Sequence, residues 1–391
     1  MIDVERVRGD TPGVAHGVHL NAAGASLPPR PVTDAVIEHL RREQLHGGYE
    51  AARNAADQLN GTYLSLARLI GCSPQEIALV ENATRAWDMA FYGMDFRPGD
   101  RILTSQAEYA SNAIPIMQVA HRTGALIEVV DNDDHGQLCI TDLERRVNAG
   151  NVALVAVTHV PTQGGLINPA AQIGAVTRSA GIPFLLDACQ SVGQLPVDVD
   201  HLGVDMLSAT GRKFLRGPRG TGFLYVRDSM VDRLTPPFLD LLSATWVAPD
   251  RYEIRPDARR FETWEKNVAG VIGLGVAVDY LLELGIDCVQ RRITLLSQSL
   301  RRQLSESPGI QVLDQGEFQC GIVTFLAAGV SATDLTETLA RHGFYLHVSR
   351  ATSAQYDLSR RGLTEIVRAS VHYYNTEDEI RSLVEAVNAV R

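Results

Sequence analysis

The sequence predicts an α/β fold: a largely parallel seven-stranded sheet sandwiched by helices, plus a smaller α+β C-terminal domain. Three observations predict it. Short apolar runs recur between helical stretches as far as Val226, the alternation that builds βαβ units and parallel sheets. Several runs, such as Val152-Ala-Leu-Val-Ala-Val-Thr158, are apolar at nearly every position, as strands covered on both faces are. Beyond the long apolar helix that begins at Val268, long helices are interleaved with short strands, which suits a second, smaller core. The expected division is a large domain over 17–260 and a small one made of 1–16 and 261–391.

Taken in order, residues 1–19 are a short arm, Leu20 to Arg30 is turn-rich, and a helix begins after Val32. Gly47-Gly-Tyr49 breaks that helix. A helix over 55–70 stops at Gly71. Ile77–Val80 is a strand, and Asn82-Ala-Thr84-Arg85 opens a helix over 87–94. Strands at Arg101–Ser105, Leu126–Val130 and Val152–Thr158 follow, then a crossover helix from Asn168 to Ala180. The run ending at Asp187, the run over 204–209 and Phe223–Val226 complete the sheet. In the C-terminal part, helices over 288–306 and 332–342 alternate with strands near 311–313, 321–325 and 345–348. A ligand of such a sheet sits beyond the strand C-termini. Thr84, Tyr109, Thr162, Asp187 and Thr210 all fall there.

Composition excludes some partners. The 391 residues carry a formal net charge of −10, which argues against nucleic acid or a membrane surface. Five cysteines form no CxxC pair and no cluster with histidine, so a reducing compartment is expected and no metal site. No run reaches membrane-span length and the opening residues lack a basic-then-apolar signal. The expectation is a cytoplasmic protein. Gly273 and Gly275 lack the third glycine of a dinucleotide loop, and Lys213 stands in the wrong place for a P-loop.

Charge usage singles out one residue. Only two lysines occur, Lys213 and Lys266, among 36 basic residues. Arginine stays protonated, whereas lysine can lose its proton and condense with an aldehyde. Asp187 closes one apolar run and Lys213 follows the next. A pyridoxal phosphate site needs this pairing. The lysine forms a Schiff base, and the carboxylate keeps the pyridine nitrogen protonated so that the ring accepts electrons. An isolated Asp/Lys pair is more often a helix cap and a surface lysine, so the flanking residues decide.

Those residues are Asp187-Ala-Cys-Gln190, Thr210-Gly-Arg-Lys213 and Gly217-Pro-Arg-Gly-Thr-Gly222. This pattern resembles the class V aminotransferase family, which includes cysteine desulfurases, isopenicillin epimerase-like proteins and hercynylcysteine sulfoxide lyase-like proteins. The resemblance extends to the end of the chain, where Arg368-Ala-Ser370 precedes Tyr374-Asn-Thr376. It implies the PLP-dependent transferase fold type I, pyridoxal 5'-phosphate as cofactor, an amino-acid substrate and a homodimer. It implies that Lys213 holds the cofactor, Asp187 faces the ring nitrogen, Gln190 bonds the phenolic oxygen and Tyr109 stacks on the ring. Thr162 is a candidate contact of cofactor or substrate. Ala83, Thr84, Arg85, Thr210 and Arg212 are the candidate phosphate ligands; the first three open a helix, whose N-terminus favours an anion. Arg368 would fork onto the substrate carboxylate, a geometry lysine does not reproduce. Asn21, Tyr49 and Arg350 are further candidates on the substrate side.

Three departures from the family bear on the reaction. Tyr109 stands where many members have histidine, and tyrosine is the poorer proton shuttle at neutral pH. Trp264-Glu265 stands before Asn267 where many desulfurases have Gly-Thr reaching the neighbouring subunit's phosphate. A carboxylate there needs a partner, so Glu265 is expected to face substrate or an arginine, and Trp264 to wall the pocket. The loop Ser349–Arg361 has no cysteine to carry a persulfide; Thr352 stands about where it would be. The family's sulfoxide lyases are similar on all three counts. The resemblance therefore implies a C–S lyase acting through an external aldimine, by β-elimination from a cysteine derivative or sulfoxide. Transamination with a 2-oxo acid and epimerisation are the alternatives, because they use the same core residues.

Overall fold

The computed structural model describes residues 2–390; residues 1 and 391, the ends of the expected small domain, lie outside the described residues. The N-terminal part supplies helices α1 (Arg30–His46) and α2 (Ala56–Ile70). Then come β1 (Ile77–Val80), α3 (Ala83–Phe91), β2 (Arg101–Ser105), α4 (Ala110–Thr123) and β3 (Leu126–Val130). They are followed by β4 (Val152–Thr158), α5 (Ala170–Ala180), β5 (Phe184–Asp187), β6 (Met206–Thr210) and β7 (Gly222–Val226). The seven strands form one sheet in the order β1-β7-β6-β5-β4-β2-β3. Every pairing is parallel except those of β7, which runs antiparallel to β1 and β6. The reversal has a simple cause: the turn from Thr210 to Gly222 is too short for the crossover that a parallel neighbour requires.

Alternate residues of the strands feed two cores, one on each face. Leu186, Leu207 and Phe223 join one cluster, while Leu185, Met206 and Leu224 join the other, as the two-residue strand period dictates. Full burial of each such side chain contributes about 1.5–3 kcal/mol.

Helix α6 (Val268–Leu284) is buried on nearly all sides and packs on α1 and α2. Glycines let it approach: a Cβ on Gly273 would meet Val36 Cγ2 at 2.6 Å, and one on Gly275 would strike Thr62. Gly285 then bends the chain by 80° into α7 (Ile286–Glu306). This packing sets α6 against the two N-terminal helices. No single helix among the described residues is long and apolar enough to cross a membrane.

The small domain holds β8 (Ile310–Val312), β9 (Ile322–Ala327), β10 (His347–Arg350) and β11 (Glu365–Ser370), antiparallel in the order β8-β9-β11-β10. Helices α7 and α8 (Glu377–Ala389) pack against each other beside it. Val18 and His19 pair with Phe344 and Tyr345, and Ser370 N–H donates to Leu20 O at 2.7 Å. Residues 18–22 thus extend the small domain and carry Asn21 to the cleft between the two parts.

One buried cation ties the chain's ends to the lysine turn. Arg216, at φ 61°, is fully buried. It donates Nε to Leu27 O (2.8 Å), Nη1 to Tyr373 Oη (2.9 Å) and Nη2 to Thr11 Oγ1 (2.6 Å). The rings of Tyr373 and Tyr374 flank it at 5.1 and 4.8 Å, close enough for cation–π attraction. Beyond β7, Ala244–Ala248 and Arg251–Ile254 form an exposed hairpin that carries Trp246 and Tyr252; the sequence analysis did not anticipate it.

Candidate active site

A cavity of about 590 Å³ opens where β4, β5 and β6 end and the small domain leans over the sheet. Lys213 and Asp187 both line it. Lys213 follows β6, and its amine makes no hydrogen bond or ion pair among the described residues; burial, its largest influence, lowers its pKa, and Arg212 and Arg368 add to that. A neutral amine is the form that condenses with a carbonyl. Asp187 is the last residue of β5. Its Oδ1 accepts from Cys189 N–H at 2.9 Å and its Oδ2 from Asn112 Nδ2 at 2.9 Å.

The floor beneath Asp187 is polar and dry. Glu108 is 1% exposed. It accepts from Tyr109 N–H (2.8 Å), Asn112 Nδ2 (2.9 Å), Thr104 Oγ1 (3.1 Å) and Thr158 N–H (3.1 Å), and from the Thr158 hydroxyl. Burial nevertheless pushes its pKa up to about 7.

At the opposite wall, Arg368 on β11 is buried. Its Nη2 donates to Asn21 Oδ1 at 3.1 Å, Nη1 donates to Thr162 Oγ1, and Nε has no partner. Desolvation lowers its pKa to about 10. Gln190 Nε2 donates to Ala23 O (3.1 Å) and Thr162 Oγ1 (3.3 Å), while its Oε1 is buried without a partner. His347 lines the cavity from β10 and is held neutral, its pKa lowered to about 4 chiefly by burial.

The third wall is the start of α3, four residues earlier than the sequence spacing suggested. Asn82 caps it, Oδ1 accepting from Arg85 N–H at 2.9 Å, so the first-turn amides of Ala83 and Thr84 have no acceptor within the helix. Ala83, Thr84, Thr210 and Arg212 all line the cavity. A Cβ on Gly222 would meet the Asn82 backbone at 2.8 Å; only glycine in β7 lets the cradle sit this close to the sheet.

Not every candidate converges here. Arg85 is corrected: only its backbone serves the cap, while its guanidinium turns outward over the Phe238 ring at 4.8 Å and toward Glu81. Arg350 donates to Thr333 Oγ1 at 3.2 Å on the outer side of β10, so Ser349 and Ser353 line the cavity in its place. Tyr49 is 68% exposed and lines a separate pocket with Trp264 and Glu265. Trp264 and Glu265 are not among the residues that line the cavity of this chain. The second lysine is accounted for by its pairing with Glu262 at 2.6 Å. Tyr109 lines the cavity and stays 37% exposed. Sequence reasoning missed Asn82, Glu108, Asn112, Thr158 and His347. For Asn82 a signal existed, a cap residue after a strand; the others act through tertiary contacts.

The loop over the cavity is folded rather than trailing. Ala351–Ser353 and Gln355–Leu358 are single turns. Leu358 is fully buried, and Arg361 Nη2 holds Leu313 O at 2.7 Å. Burial pushes the Cys189 thiol far up and the Cys320 thiol to about 12, so neither is a thiolate at neutral pH.

The residues fit pyridoxal phosphate. An unpartnered amine stands beside a carboxylate, free amides at a helix N-terminus suit a phosphate, and the buried Arg368 Nε and Gln190 Oε1 await polar partners. A family model described as aminotransferase class-V matches residues 18–383. A protein of Methanothermobacter thermautotrophicus named "Probable cysteine desulfurase" is 30% identical over 99% of this chain and 98% of its own length. A protein of the same name from Xylella fastidiosa is 30% identical over 100% and 96%. Among solved structures, the apo cysteine desulfurase of Thermococcus onnurineus superposes with a TM-score of 0.93 at 27% identity, covering 100% of this chain and 98% of that one. The cystine C–S lyase C-DES shares the fold, with a TM-score of 0.86 at 24% identity and coverage of 97% and 99%. The lysine turn, the phosphate cradle and a family match spanning nearly the whole length agree: this chain belongs to the class-V aminotransferase family of pyridoxal-phosphate enzymes.

Proposed function

We propose that this chain is a C–S lyase that releases the sulfur substituent of a cysteine derivative without a protein persulfide. One observation carries the reading. The loop that covers the cavity is pinned by Leu358 and Arg361 and presents Ser353, not a mobile cysteine. The relatives named as cysteine desulfurases and a cystine C–S lyase support C–S cleavage as the chemistry. Pyridoxal phosphate held by Lys213 and the start of α3 would supply the electron sink that such a cleavage needs. Arg368 holds the substrate carboxylate, with Asn21 and Thr162 fixing its guanidinium. Lys213, once free, takes the Cα proton, and its lowered pKa suits it to act as a base. Loss of a thiol from Cβ, followed by uptake of water, leaves pyruvate and ammonium and balances the reaction.

Two further readings belong with this one. The exposed aromatic residues Tyr49, Trp246, Tyr252 and Trp264 support a homodimer, and the five unpaired thiols support a cytoplasmic setting.

The test is a product assay on cofactor-loaded protein with cysteine, alkylcysteine sulfoxides, cysteine sulfinate, alanine and kynurenine. Pyruvate from a cysteine derivative with no oxo acid present is the expected result. Turnover only with added 2-oxo acid would make the enzyme a transaminase; a D-amino-acid product would make it an epimerase.

A further inference from the structure

We propose that Glu108 and Asn112 are positioning residues that hold the Asp187 carboxylate aimed at the cofactor ring. The geometry is a chain of three side chains beneath the cavity. Asn112 Nδ2 lies 2.9 Å from Asp187 Oδ2, 2.9 Å from Glu108 Oε1 and 3.3 Å from Thr158 Oγ1. An amide nitrogen has two hydrogens, so the two carboxylates take one each and Thr158 shares. A reversed amide would point its oxygen at two carboxylates. Glu108 therefore fixes which way Asn112 faces, and Asn112 fixes the donor that Asp187 receives.

Glu108 is held just as firmly. Each of its oxygens meets a rigid backbone donor, Tyr109 N–H at Oε1 and Thr158 N–H at Oε2. The network ties together the ends of three strands: Thr158 ends β4, Asp187 ends β5, and Glu108 lies three residues past β2. A buried carboxylate beside a second one is costly for the fold. Here it both receives the backbone donors at the strand ends and sets the orientation of Asn112.

Glu108→Gln is the informative change. It is isosteric, yet neither orientation fits, because the new amide nitrogen must face the N–H of Tyr109 or of Thr158. Asn112 is then free to turn. Asn112→Leu removes both donors at similar volume.

The inference rests on Asp187 as the partner of the ring nitrogen, so Asp187→Asn is measured alongside. The probe is pyridoxal phosphate labelled with 15N in its ring, bound to the substrate-free full-length protein and read by NMR, with the melting temperature as a check on folding. The wild type is expected to show a protonated ring nitrogen. Glu108→Gln and Asn112→Leu are expected to move the signal toward the unprotonated ring. Both are expected to weaken cofactor binding about tenfold, the scale of one hydrogen bond to a charged group. A wild-type nitrogen signal in a folded Glu108→Gln protein overturns the proposal; if that variant does not fold, the same signal in Asn112→Leu overturns it. A protonated nitrogen in Asp187→Asn overturns the role of Asp187 itself, a separate failure.

Discussion

Replacing Arg368 by lysine keeps a positive charge in the cavity and removes its shape. The guanidinium is held at two corners, by Thr162 and by Asn21 Oδ1 at 3.1 Å, with Nε buried and open. A carboxylate can take two parallel N–H bonds from such a plane; an ammonium offers one directed contact from a flexible stem. Losing one hydrogen bond to a charged group removes about 1.5–3 kcal/mol, which is about 10- to 150-fold in affinity. A second effect has the same sign. Burial already lowers Arg368 to about 10, and a lysine starts lower, so part of the charge is lost at alkaline pH. The assay uses two amines that need no turnover, glycine and methylamine, each titrated into cofactor-loaded protein while the visible absorbance is followed. Glycine is expected to bind 10- to 150-fold more weakly to the variant, on the same charged-bond scale, with methylamine unchanged. Equal losses for both amines, or no loss for glycine, would refute Arg368 as the carboxylate ligand.

Two further outcomes concern stability. Arg301 donates Nε to the buried Asp314 at 2.7 Å and Nη2 to Cys320 O and Ile322 O. Arg301→Met strands that carboxylate, whose pKa burial already raises, and should cost about 3–5 kcal/mol in urea unfolding. The pH profile of stability should fall on the acid side. Burial lowers His159 to about 4, so between pH 6.5 and 4 the unfolded chain binds the extra proton and stability drops as pH falls, by roughly 3 kcal/mol for this residue. Glu108 has the opposite sign: raised to about 7, it contributes stability below its unfolded value and loses it as pH rises through 7. Calorimetry across pH 4–7 on the wild type and His159→Phe checks this; an unchanged slope in the variant would refute the assignment.

Much of this was legible because local pattern and tertiary role coincide. The seven apolar runs had to become buried strands, and a ligand had to sit past their ends; that placed Thr84, Asp187, Thr210 and Lys213 in one cavity. Lysine's scarcity marked Lys213, since arginine cannot do its chemistry. What was not legible depends on distance across the fold. Tyr49 and Trp264 share a pocket separate from the cavity, which no local spacing reveals. Arg85 looked like a phosphate ligand, yet only its backbone lies at the cap. Glu108 and Asn112 are ordinary helix-start residues in sequence, and only the contact between β2, β4 and β5 gives them a role. The all-round apolar character of α6 did carry information: a helix without a polar face belongs in a core, and eleven of its residues are buried.

The Arg216 hub has a consequence for biosynthesis. It fastens the lysine turn to Thr11 and Leu27 at one end of the chain and to Tyr373 at the other, while Asn21 and Arg368 meet across the cavity. The cofactor pocket is therefore closed by segments that lie 347 residues apart in the sequence. A nascent chain can build its central sheet early, but it holds a buried arginine short of one of its three partners until Tyr373 emerges. A chain cut before Tyr373 keeps every residue that lines the cavity and loses the Nη1 partner of its buried arginine, so its weakness lies in the clamp on the lysine turn and not in the site.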